Sequence, residues 1–180
     1  MNKNLSVSAI VMFCLAVGFA APAGSEVMGK GTPVITQAFA SKEIKPGEAW
    51  KVYLNVSDPN GEMKNIFAVV YQAGVGEYPM SIIKVKEESR KQLSGYIYLP
   101  TSTSWYPMDY VNLTLRVEIQ DRSGIFSAPA VFALSLSSRF SQEAPPQGVF
   151  QEQELGPVMV RLKTVDGGGG GGSEGGSSGH

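Results

Sequence analysis

The sequence predicts an all-β fold, a seven-stranded antiparallel sandwich, and three observations carry that expectation. The first is the stretch Val111 to Leu136, VNLTLRVEIQDRSGIFSAPAVFALSL. Leu113, Leu115, Val117 and Ile119 alternate there with Asn112, Thr114, Arg116, Glu118 and Gln120, the period of two that marks a half-buried strand. The second is punctuation: short apolar runs are separated by Pro, Gly, Asn and Asp, which end strands and make turns. The third is that no long segment carries a helical period.

Taken in order, Val34 to Ala40 reads as a first strand and stops before Lys45-Pro46-Gly47-Glu48. Trp50, Val52, Leu54 and Val56 alternate with Lys51, Tyr53 and Asn55 to give a second, which ends at Asp58-Pro59-Asn60-Gly61-Glu62. Ile66 to Gln72 is apolar on both faces, as a central strand should be, and breaks at Gly74-Val75-Gly76. Met80 to Lys86 and Gly95 to Leu99 are the fourth and fifth strands. Glu87 to Gln92 between them is charged and fits a solvated loop or a single helical turn. Strands six and seven are the opening hairpin, with Asp121 bonding its own backbone and Gly124 taking a positive φ at the turn before Phe126 to Leu136 returns. This strand count and spacing suit an immunoglobulin-like sandwich, with a closed barrel as the other all-β solution.

The ends of the chain differ from this middle. Residues 1–23 have the layout of a signal peptide: Lys3 in a polar leader, an apolar core from about Ala9 to Ala20, and small residues at Ala21 and Ala23. The run is shorter than the roughly 20 residues of a membrane span, so no span is expected after the leader is cleaved. Cys14 invites a lipoprotein reading, but Val11-Met12-Phe13 lacks the small residue that should precede a lipidated cysteine. Cys14 is also the only cysteine, so cleavage would leave a domain (33–138) that must be held by its core without disulfides. Residues 139–156, with Gln142-Glu-Ala-Pro-Pro-Gln-Gly148, read as linker, and 157–165 as one possible extra strand. From 166 to 180 the chain is nearly all Gly and Ser, and the six glycines Gly167 to Gly172 predict a disordered C-terminal tail.

NVSDPNGEM, between strands two and three, resembles the DPDGD-type turn of bacterial cadherin-like and related immunoglobulin-like repeats. VEIQDRSGIFSAPAVFAL is similar to the last hairpin of fibronectin type III-like modules of bacterial exported proteins. The resemblance covers about Ile44 to Leu136 and implies an exported sandwich module of the cell surface or periplasm. The chain departs from that pattern in lacking a cysteine pair and in placing Tyr110 out of phase with Leu113 and Leu115.

Function is constrained first by what is missing. Fifteen Lys and Arg face 16 Asp and Glu, a balance that gives nucleic acid no electrostatic reason to bind. His180 is the only histidine, so neither a histidine-based catalytic triad nor a His/Cys zinc site can be assembled in the mature domain, and no enzyme is expected. Two candidate sites remain. The turns between strands two and three and between six and seven share one end of an immunoglobulin-like sandwich, bringing Asp58, Asn60 and Glu62 near Asp121. These oxygens could hold calcium, as turns of some cadherin-like repeats do, or simply cap the turn backbone. At the opposite end Tyr78, Trp105 and Tyr106 gather near Pro46 and Pro79, where they could stack on a glycan, anchor a protein partner, or cover the open core. Met63, Met80, Met108 and Met159 are scattered, which suits core filling. The expectation is an exported non-enzymatic binding or structural module, with a calcium-stabilised adhesin-type module or a carbohydrate-binding domain as alternatives.

Overall fold

The computed structural model describes residues 31–102 and 110–163; the expected signal peptide, Trp105, Tyr106, Met108 and the Gly-rich tail lie outside these residues. The described chain forms ten strands: β1 (Val34–Ala40), β2 (Glu43–Ile44), β3 (Ala49–Ser57), β4 (Met63–Gln72), β5 (Gly76–Glu77), β6 (Ser81–Lys84), β7 (Gln92–Pro100), β8 (Asn112–Asp121), β9 (Ala130–Leu136) and β10 (Glu154–Pro157). All seven strands expected from the alternation are present, joined by the short β2, β5 and β10. Glu87–Ser89 forms a single 3-10 turn.

Two sheets face each other, one ordered β1-β3-β7-β10 and the other β2-β9-β8-β4-β5, with β6 also paired to β4. Most pairings are antiparallel, but β2 runs parallel to β9 and β10 parallel to β7. The chain crosses from one sheet to the other between β1 and β2, and β3, β7 and β4, β8, β9 take the places of the B, E and C, F, G strands of an immunoglobulin sandwich. The place of the D strand, beside β7, is filled from the far end of the chain by β10.

Alternation explains which side chains meet between the sheets. Trp50, Val52, Leu54 and Val56 of β3, Leu93, Ile97 and Leu99 of β7, and Leu113, Leu115, Val117 and Ile119 of β8 are all buried in one cluster. Trp50 is fully enclosed, and its indole N–H donates to the Ser41 carbonyl at 2.8 Å, so burial leaves no polar atom orphaned there. β4 sits between β8 and β6, and its outward Phe67 and Val69 are nearly as buried as its inward Ile66, Ala68 and Val70. That is why its sequence lacks alternation.

One boundary and one burial expectation differ from the reading by pattern. The strand expected from Phe126 joins the ladder only at Ala130, because Pro129 has no N–H to give, and Phe126 keeps a single bridge to Gln120. Of the methionines expected to fill the core, Met63 does so, whereas Met80 and Met159 are exposed.

The segment after β9, where composition predicts a linker, crosses the outer face of the four-stranded sheet as a strap. The Gln142 side chain accepts from the Lys51 N–H at 2.7 Å and donates to the Ala49 carbonyl at 3.2 Å. The Tyr96 N–H donates to the Gln153 carbonyl at 2.8 Å, and the Val158 N–H to the Tyr98 carbonyl at 2.7 Å. The strand lies at Glu154–Pro157, within the end of the stretch expected to be linker, and meets the expected extra strand of 157–165 only at Pro157. Beyond it Val158 and Leu162 enter the core, each a burial worth roughly 1.5–3 kcal/mol. Gly95 of β7 makes this docking possible: a Cβ there would lie 2.4 Å from the Gln153 carbonyl oxygen and 2.9 Å from the Leu155 side chain.

Candidate ligand-binding face

The fold does bring the β3–β4 and β8–β9 turns together. Met63 pairs with Asp121, and the Arg122 N–H donates to the Glu62 carbonyl at 3.0 Å. The carboxylates, however, are turned onto the backbone. Asp58 is 0% exposed, and its two carboxylate oxygens accept from the N–H groups of Asn60 at 2.9 Å and Glu62 at 2.8 Å. Asp121 is 2% exposed, and one of its oxygens accepts from the Ile125 N–H at 2.8 Å across a turn in which Gly124 takes a φ of 86°. The Asn60 amide reaches outward to the Gly31 carbonyl at 3.2 Å. Among the described residues no three acidic, His or Cys side chains form a metal-holding group.

At the other end, Tyr78 is 8% exposed and belongs to a buried polar knot. Its hydroxyl donates to the Gln72 side-chain carbonyl and accepts from the Lys163 N–H at 2.9 Å, while the Gln72 amide donates to the Lys163 carbonyl. Tyr78, expected on a binding surface, is thus a pin for the end of the strap: a phenol on a loop closing onto a core finds its partner inside. Tyr110 is 78% exposed with a φ of 65°, a left-handed backbone unusual for a tyrosine, and its ring faces solvent.

The outer face of the four-stranded sheet carries what the sequence left unread. Along it, β3 and β7 present the cross-strand pairs Ser57–Gln92, Asn55–Ser94, Tyr53–Tyr96 and Lys51–Tyr98. The strap divides this face in two. Over the aromatic half, Phe150 packs on Tyr53 with ring centres 5.7 Å apart, and Tyr53 on Tyr96 at 5.5 Å. The Lys51 ammonium lies 4.2 Å from the Tyr96 ring centre and 3.1 Å from Glu152, which also accepts from the Tyr53 hydroxyl at 2.7 Å. The Tyr53 hydroxyl, and then the Lys51 ammonium, hold the Glu152 carboxyl below its ordinary range. Burial and the hydrogen bond to Glu152 raise the Tyr53 phenol.

The other half stays open as a cleft of about 470 Å³. Thr36 comes to it from β1, Asn55 and Ser57 from β3, Gln92 and Ser94 from β7, Ser89 from the 3-10 turn, and Gln151 and Gln153 from the strap. Among the described residues no charged side chain lines it. The walls are fixed by their own bonds: Asn55 donates to Gln37 at 2.8 Å and to the Val149 carbonyl at 2.9 Å, and Ser94 accepts from the Gln151 N–H at 3.0 Å. What faces the opening is a set of neutral amides and hydroxyls that can donate and accept. The signal in the sequence was the neutral outward positions Asn55, Ser57, Gln92 and Ser94, where the outward positions of β8 carry Arg116 and Glu118.

Strand order and this face define an immunoglobulin-like β-sandwich module. No family model matches the chain, and no curated protein matches it. Among solved structures it is similar to the PKD domain of an M14-like peptidase from a Thermoplasmatales archaeon, at 11% identity over 58% of this chain and 95% of that one, with a TM-score of 0.34. It is also similar to a CARDB domain from Pyrococcus furiosus solved in complex with di-metal ions, at 9% identity over 59% and 91% of the two chains, with a TM-score of 0.31. Likeness at that level transfers no residue role. Among the described residues no helix is long and apolar enough to cross a membrane.

Proposed function

We propose that the chain is an exported, non-enzymatic binding module of the cell surface or periplasm, and that its ligand sits in the uncharged cleft on the outer face of the four-stranded sheet. The observation that carries this reading is the lining itself: described side chains from three strands, the 3-10 turn and the strap present neutral donors and acceptors and no charge. That chemistry fits a neutral, hydroxylated ligand, a glycan, whose own groups both give and take hydrogen bonds. The resemblance of the two turn motifs to bacterial exported modules, and the signal-peptide layout of the first 23 residues, support the compartment. The test is titration with neutral oligosaccharides while the amide resonances of Gln92, Ser94 and Gln151 are followed. Saturable shifts confined to these residues, with affinity weakened about fivefold in Gln92→Ala, are expected. Shifts spread evenly over the surface, or none at millimolar sugar, would overturn it.

A further inference from the structure

A β-sheet ends in strands whose outer N–H and C=O groups lack partners, and stable monomers blunt such edges with short strands, charge or proline. Three of the edges here are blunted. β2 and β5 are two residues long, β6 is followed through its exposed Lys84, and β10 is four residues long with Pro157 at its end. β1 is different. Its seven residues, VITQAFA, contain neither charge nor proline, and Thr36, Gln37 and Ala38 at its middle are exposed. Among the described residues no backbone hydrogen bond reaches β1 from any element other than β3. A bulge at Thr36 turns its first part aside and leaves Gln37 to Ala40 regular and open.

We infer that this edge pairs with β1 of a second copy of the chain, joining two four-stranded sheets into one continuous antiparallel sheet. The occupant follows from the strand's own symmetry. A two-fold axis through Ala38 sets that small residue against its counterpart, and sets Gln37 of one copy beside Phe39 of the other, twice. Gln37, opposite Asn55, and Phe39, opposite Tyr53, lie on the outer face, so each such pair meets on the same side of the joined sheet. No like charges meet anywhere along the strand, so nothing opposes a copy of itself. The contact is isologous and closes at two chains. The pairs at the axis, Gln37 to Phe39, do not include Thr36, the residue of β1 that lines the cleft.

Sedimentation velocity of the full chain over a wide concentration range tests this, with two charge variants at the axis. The parent should show a concentration-dependent dimer. Ala38→Lys and Ala38→Glu alone should each weaken it roughly tenfold by placing like charges face to face, with unchanged thermal midpoints measured at low concentration. Mixing the two variants should restore association as a heterodimer, which a mere folding defect or a contact elsewhere would not do. A parent that stays monomeric at millimolar concentration, a dimer insensitive to both charges, or a mixture no tighter than either variant alone would overturn the inference.

Discussion

At one edge of the four-stranded sheet the chain covers its own backbone with β10, and at the other edge no described residue pairs with the outer backbone groups of β1. The covered edge is assembled from the most distant parts of the chain. Its strand holds Gly156 and Pro157, poor strand formers, and its place is kept by what surrounds it: the backbone bonds to β7 from Gln153 and Val158 at its two ends, the entry of Val158 and Leu162 into the core, and the knot that pins Lys163. The open edge is the reverse, a run of good strand residues that needs no distant support. Local propensity thus makes the exposed edge, and tertiary contacts make the protected one.

Cutting the pin should separate the two edges most sharply. Gln72→Leu takes the acceptor from the Tyr78 hydroxyl and the donor from the Lys163 carbonyl, leaving the Tyr78–Lys163 N–H bond alone to hold the knot, and should lower stability by about 3 kcal/mol in a denaturant titration. A loss below about 1 kcal/mol would mean the knot does not hold the strap. Next in size is Gly95→Val, whose side chain needs the space of the Gln153 carbonyl; a cost of about 2 kcal/mol is expected, together with protease cuts between 142 and 153 that the parent resists. Equal resistance in the variant would show that the strap does not pass where described.

The smallest effect is electrostatic. Glu152 titrates below its ordinary value because the Tyr53 hydroxyl and the Lys51 ammonium favour its charged form. A depressed carboxylate adds stability that is complete above its unfolded pKa, near 4.5, and is lost as pH falls through the lower folded value. Cleavage of the strap should therefore rise on acidification below about pH 4, and Glu152→Gln should show that susceptibility already at neutral pH. Since the carboxylate is exposed, the change in global stability should be small.

How much of this was legible follows from the same contrast. Strands β3, β7 and β8 announced themselves because one face is buried and a period of two has no other use, and β4 as an apolar run buried on both faces. The meeting of the Asp58 and Asp121 turns was legible from strand order, though which way their carboxylates turn is decided by the free N–H groups of Asn60, Glu62 and Ile125. The strap was not legible. Pro145, Pro146 and Gly148 read as linker because they form no ladder of their own, and only the positions of Lys51, Tyr53, Asn55 and Tyr96 on the finished sheet give Gln142, Phe150 and Glu152 anything to bind. The cleft depends on that strap for one wall, so it was hidden with it.

The account rests on residues 142–163 being a built-in part of the sandwich. Amide hydrogen exchange of the intact chain tests this most directly, through the N–H groups of Tyr96, Val158 and Lys163, which donate to or come from the strap. Protection comparable to that of the core strands β3 and β8 is expected at all three. Exchange as fast as in exposed loops, with β3 and β8 still protected, would contradict it.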